Sequence, residues 1–142
     1  MQMITRRIEI PTPRTEVKIV CLGCVHHGAY GCDEALADFW YNRILRSSNT
    51  YAIFGGDMVD SIHEKDKRYS DEEVSAWCKD RKWGRTLIER QRRYALTKWR
   101  PLAKAGKILW LHAGNHEEKL VARDSQDLTG YWAAELEVPY AG

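Results

Sequence analysis

Three short apolar runs, each closed by glycine, punctuate the chain: residues 16–23 (EVKIVCLG), 50–56 (TYAIFGG) and 107–114 (KILWLHAG). Runs of that length ending in a turn residue predict buried strands. Between the first two, residues 33–48 (DEALADFWYNRILRSS) place Leu36, Phe39, Trp40, Ile44 and Leu45 near helical spacing, with Asp33 as the expected N-cap. Residues 61–70 are polar and read as a loop. A long helical pattern opens at Ser70 or Asp71 and runs to about Arg100, with a break at Gly84 and with Pro101 and Gly106 marking its end. Residues 128–138 (LTGYWAAELEV) predict a further helix, and VPYAG the start of another strand. Strands alternating with helices predict an α/β fold in which helices pack on a mostly parallel sheet.

The residues just beyond each glycine change the picture. The first strand runs into LGCVHHG, the second into FGGDMVD and the third into HAGNHEE. In open α/β sheets ligands gather outside the carboxyl ends of the strands, where the strand-to-helix loops converge. The pattern therefore gathers Cys24, His26, His27, Asp57, Asp60, Asn115, His116 and Glu117 on one rim. Carboxylate, imidazole and amide oxygen together suit Mn, Fe or Zn. A cluster centred on one carboxylate can hold two divalent ions about 4 Å apart, which places Asp57 as the bridge. Such a pair generates hydroxide at neutral pH and clamps the oxygens of an in-line displacement at phosphorus.

GGDMVD and GNHE resemble, in order and position, the second and third motifs of the calcineurin-like metallophosphoesterase superfamily. The first motif of that family, Asp-x-His-x-Gly, is matched by Cys24-Val25-His26-His27-Gly28, with cysteine in the aspartate position. The resemblance covers roughly residues 17–142, and DKRY (66–69) and LEVPYAG (136–142) look like phage and bacterial members. It implies a metal-dependent hydrolase acting on a phosphomonoester or phosphodiester, with nucleic acid one candidate substrate. It implies that Cys24 and His26 bind the first metal, that Asp57 bridges both, that Asn115 binds the second, and that His116 protonates the leaving alkoxide or contacts the phosphate. His27 and Arg68 are the expected substrate contacts, and Asp60 and Glu117 the expected supporting or capping groups. The chain corresponds to the N-terminal part of that fold, as one domain over residues 1–142: no histidine occurs after His116, so the later histidines of the family are absent. A thiolate at Cys24 is softer than carboxylate and shifts the expected preference toward Zn.

Composition narrows the alternatives. At 142 residues, 44% hydrophobic and 30% charged, the chain fits an ordinary globular domain with a real core. No run approaches the ~20 apolar residues of a membrane span, and the N-terminal stretch lacks the apolar core of a signal peptide, so no membrane partner and a cytoplasmic location are expected. Cys21, Cys24, His26 and Cys32 invite a zinc-knot reading, but two ligands within one extended strand and its turn fit a tetrahedral site poorly. The plainer reading makes Cys21 a small core hydrophobe. Residues 79–104 hold ten Lys and Arg against Asp80 and Glu89, interleaved with aromatics that either stack on bases or pack on the sheet. Two further functions stay open on the residues alone: a non-catalytic metal-binding module, and a nucleic-acid-binding protein without a metal. His63 and His112 stand alone, and His112 is expected in the core or behind a ligand.

Overall fold

The computed structural model describes residues 3–67 and 69–141. Strands β1 (Lys18–Leu22), β2 (Thr50–Phe54), β3 (Ile108–His112) and β4 (Tyr140–Ala141) form one all-parallel sheet in the order β1-β2-β3-β4. Helices α1 (Glu34–Arg46), α2 (Leu87–Lys104), α3 (Asn115–Asp124) and α4 (Leu128–Leu136) complete the α/β architecture that the alternating pattern predicts. Among the described residues, no helix is long and apolar enough to cross a membrane.

Strand order explains how the core is built. A chain that steps in one direction across a parallel sheet, with crossovers of one hand, lays its helices on one face. Val20, Leu22, Ala52, Phe54, Ile108 and Leu111 accordingly pack with Ile44, Trp99, Trp132 and Leu136 from α1, α2 and α4. Phe54, Trp99 and Trp132 meet edge to face at 5.1 and 5.0 Å, an arrangement aromatic rings favour. The opposite face of β1 is open: Ile19 is 51% exposed and Cys21 is exposed. Cys21 is therefore not a core residue, because β1 is an edge strand covered on one side only.

The helices depart from the sequence pattern at three points. The pattern starting near Ser70 does not form one helix: it gives single 3-10 turns at Ala76–Lys79 and Arg81–Trp83, and α2 begins only at Leu87. Thr86 is the cap, accepting from Glu89 N at 3.2 Å. Apolar residues in the 3-10 region instead fill a small second core of Ile62, Val74, Cys78 and Leu87. Pro101 sits inside α2 rather than ending it. Gly106, at φ +65°, does the ending: its N–H reaches Ala103 O and that of Lys107 reaches Leu102 O, the paired bonds of a Schellman stop. The third departure is α3, which has no apolar periodicity to announce it.

The basic segment turns its aromatics inward. Trp99 is fully buried, and Trp77 stacks on Tyr94 with centroids 3.8 Å apart. Arg90 is buried, its guanidinium donating to Gly84 O, Cys78 O and Arg85 O. Arg93, Lys98 and Arg100 pair with Glu89, Asp38 and Glu135. These rings are thus committed to packing.

The ends of β2 and β3 come into backbone contact. A Cβ on Gly56 (φ +93°) would lie 2.3 Å from Gly114 N, and one on Gly114 would lie 2.3 Å from Asp57 N. Only glycine fits at either place. Gly56→Ala combines this clash with a left-handed backbone, so it should lower unfolding free energy by about 2 kcal/mol or more. Urea denaturation checks this; a variant as stable as the parent contradicts it.

Candidate metal centre

The loop after β1 is zipped to the loop after β2 by backbone bonds. Cys24 N donates to Gly56 O, His26 N to Asp57 O and His27 N to Met58 O, each at 3.0 Å, and Asp60 N returns to His27 O. Within this ladder Cys24, His26 and Asp57 all adopt left-handed φ, at 52°, 53° and 51°. Aspartate and histidine tolerate that region better than most side chains, but each such residue still costs of order 1 kcal/mol and persists only where its surroundings enforce it. The strain is concentrated on the three side chains that meet: one donor atom from each of Cys24, His26 and Asp57 lies within 4.8 Å of the others.

The loop after β3 supplies the other wall. Asp57, nearly buried, accepts the His116 backbone N–H on Oδ1 at 2.8 Å, so it caps the start of α3 from a different loop. A helix N-terminus favours negative charge there. Gly114, the N-cap residue, has no side chain with which to do this. Asn115 lies against the other oxygen. In one orientation its amide donates to Asp57 Oδ2 at 2.7 Å and accepts from Lys119 Nζ at 3.3 Å; in the other, its oxygen faces Asp57 Oδ2, acceptor to acceptor. The second orientation is the one a cation between them would select.

His116 and His26 meet edge to face, centroids 4.6 Å apart. The Nδ1 of His116 is 2.7 Å from Asp60 O and 3.6 Å from Asp60 Oδ1. With Nδ1 donating to that carbonyl, Nε2 keeps its lone pair for a ligand, a proton or an ion. His26, Asp60 and His116 form a second group of converging donor atoms. Asp60, expected only as a supporting or capping group, is thus a direct neighbour of the His116 imidazole.

Glu117 fills the space beneath the rim. It is 1% exposed, and its carboxylate accepts four backbone N–H groups: Asp57 at 2.9 Å, Met58 at 3.0 Å, Val59 at 3.3 Å and Gly114 at 2.9 Å. Its expected capping role is met and extended, because three of those donors belong to the β2 loop.

Of the site residues expected from the sequence, Cys24, His26, Asp57, Asn115 and His116 converge on one rim. His27 does not join them: it is fully buried, with Nε2 2.8 Å from Tyr41 Oη and Nδ1 2.8 Å from Glu34 Oε2. A ring sealed in the core cannot touch a substrate, so the expected phosphate contact is corrected. Arg68 lies outside the described residues. His112 is exposed at the end of β3 rather than in the core. Tyr41 and Glu34 carry no motif; their place on one face of α1, with Asp33 as cap, is the only sign of them in the sequence.

As a donor set, thiolate, imidazole and carboxylate leave at least one position open on a four-coordinate ion, the pattern of sites that bind substrate or water. Asp57 and Asn115 give a neighbouring pair of oxygens. The residues therefore fit at least one divalent ion, with sulfur favouring Zn or Fe over Mn.

No family model, curated protein or solved structure matches the chain. The chemistry of the rim thus rests on its own geometry.

Glu117→Gln tests that geometry. An amide would turn N–H toward N–H and leave a buried donor unpaired, which should cost roughly 1–3 kcal/mol. The urea midpoint should fall and metal affinity with it, because Asp57 hangs from the same carboxylate. An unchanged midpoint contradicts the clamp.

Proposed function

We propose that this protein is a metal-dependent phosphoesterase of the calcineurin-like type, acting at the rim formed by the ends of β1, β2 and β3. The observation that carries the reading is the convergence of Cys24, His26 and Asp57, with Asn115 and His116 beside them. Those residues come from three separate loops, in the order in which the family's motifs occur.

Each side chain has work that its surroundings allow. Asp57 is fixed by the His116 N–H, which leaves Oδ2 for an ion shared with Asn115. His26 and Cys24 complete the donor set from the facing loop. A bound divalent ion would supply Lewis-acid polarisation of a phosphoryl oxygen and acidify water at neutral pH. His116, whose Nδ1 is held by Asp60, can give a proton from Nε2 to a leaving alkoxide when its ring is protonated on both nitrogens. Substrates with poor leaving groups depend on that proton most.

The second reading, a binding module that keeps a metal without catalysis, is favoured by Cys24 standing where carboxylate is expected. Hydrolysis separates the two. With Mn or Zn added, the chain should cleave an activated phosphodiester such as bis(p-nitrophenyl) phosphate. Asp57→Asn should lose both bound metal by elemental analysis and turnover. A parent chain that binds metal and cleaves neither this ester nor p-nitrophenyl phosphate supports the binding module.

Cys24→Asp sharpens the assignment. Cys24 is exposed, so a carboxylate there is not buried, and aspartate suits φ 52° better than cysteine. Carboxylate also matches Mn better than sulfur does. Calorimetric titration should show tighter Mn binding, by about tenfold for each ~1.4 kcal/mol gained, with no fall in melting temperature. Unchanged Mn affinity would remove Cys24 from the ligand set.

A further inference from the structure

Two adjacent histidines in the first motif have parted company, and the inner one belongs to a second cluster. The ring of His27 lies among Tyr41, Tyr94 and Trp99, fully buried. Its Nε2 is 2.8 Å from Tyr41 Oη, which in turn accepts from Trp99 Nε1 at 3.2 Å. Its Nδ1 faces the start of α1, 2.8 Å from Glu34 Oε2 and 3.9 Å from Cys32 Sγ. Donor atoms of His27, Cys32 and Glu34 all lie within 4.8 Å of one another.

We propose that His27, Cys32 and Glu34 form a separate site for a zinc-class divalent ion, behind the rim and sharing no ligand with it.

Four features support this site. The ligand types are those of a tetrahedral zinc site: imidazole nitrogen, thiolate sulfur and carboxylate oxygen, with a solvent position left on the half-buried Cys32 side. Bonds of ~2.0–2.3 Å put neighbouring ligands roughly 3.4–3.8 Å apart. The observed 3.9 Å between Sγ and Nδ1 is close to that, and the 2.8 Å between Nδ1 and Oε2 widens if Glu34, whose side chain is 25% exposed, swings outward. The loop is also already closed, by bonds from Ala29 N to His26 O, Cys32 N to Ala29 O and Glu34 N to Cys32 O. Finally, a metal-binding histidine characteristically gives its other ring N–H to a fixed partner, and Tyr41 Oη stands at Nε2 for that purpose.

Protons and charge balance. Glu34 now accepts the hydrogen bond of the His27 Nδ1–H and also accepts from Tyr94 Oη at 2.9 Å and Trp77 Nε1 at 3.1 Å. Burial alone would raise Glu34, but the bonds from His27, Tyr94 and Trp77 outweigh it and hold the carboxyl below its ordinary value. Burial, with the Glu34 charge next in size, pushes the Cys32 thiol up to about 12, so it stays protonated unless a cation is beside it. On ion binding the Cys32 proton leaves to solvent and the His27 proton moves from Nδ1 to Nε2, toward Tyr41. One thiolate and one carboxylate then neutralise the divalent charge. The ion would fasten the segment just after His26 to α1.

The test uses the full chain carrying Cys24→Ser, Asp57→Asn and His116→Ala, which breaks both donor groups of the rim, with circular dichroism to verify the fold. After zinc loading and gel filtration, elemental analysis should find about one zinc per chain, and adding Cys32→Ser should weaken zinc binding by at least about tenfold. Cobalt in place of zinc should give a thiolate charge-transfer band that Cys32→Ser removes. A folded rim-less chain that retains no zinc, or a Cys32→Ser chain that binds it equally well, overturns the site. If Cys32→Ser does not fold, alkylation decides on the intact Cys32 chain: iodoacetamide labelling of Cys32, read by mass spectrometry, should be slowed by zinc, and an unchanged rate overturns the proposal. Because both donor groups of the rim are broken throughout, failure here leaves the proposed phosphoesterase reading untouched.

Discussion

A single buried carboxylate holds the two halves of the rim together. Glu117 enters from the first turn of α3 and takes the backbone N–H groups of Asp57, Met58 and Val59 in addition to that of Gly114. Without it the β2 loop would leave three donors unpaired in a place closed to water, which is a heavy penalty for a small domain. Its reach depends in turn on the backbone contact of Gly56 with Gly114, where no Cβ can stand. The loops can then approach closely enough for Asp57 to cap α3 and for His116 to sit beside His26. Strain at Cys24, His26 and Asp57 is sustained by this arrangement and by the backbone ladder between the first two loops.

The helical layer works as a platform behind that rim. Trp99 from α2 packs on Phe54 at the end of β2 and on Trp132 from α4, and Tyr41 from α1 ties Trp99 to His27. A chain of buried contacts therefore runs from the core to the residue adjacent to the proposed ligand His26. Rigid elements carry the strained loops, while Cys24 stays exposed and Asp57 sits nearly buried beneath it.

Much of this is legible in the residues, and the failures have physical causes. Glycine-closed apolar runs mark three strands because a parallel sheet needs tight exits, and Gly-Asp and Gly-Asn-His-Glu mark the rim because the close approach needs glycine before each polar group. The His26-His27 pair misleads because sequence does not reveal φ: alternation around a left-handed His26 sends one ring to the rim and the other into the core. Helix α3 is hidden because its start is fixed by Asp57 from a distant loop and by Glu117, not by an apolar stripe. The β-branched neighbours of Cys21 suggest burial, whereas strand order leaves the far face of β1 open. The start of α2 moves to Leu87 because Val74 and Cys78 are recruited to a local core. Tertiary context decides each of these, and periodicity carries none of it.

Everything proposed for the rim requires that Cys24, His26 and Asp57 hold a divalent ion at the strand ends. Anomalous diffraction from a crystal grown with zinc locates the ion without recourse to activity. A peak should stand between Cys24 Sγ, the His26 ring and Asp57, with sulfur at about 2.3 Å and nitrogen or oxygen at about 2.0–2.2 Å. A well-ordered rim with no peak among those three side chains would contradict that requirement.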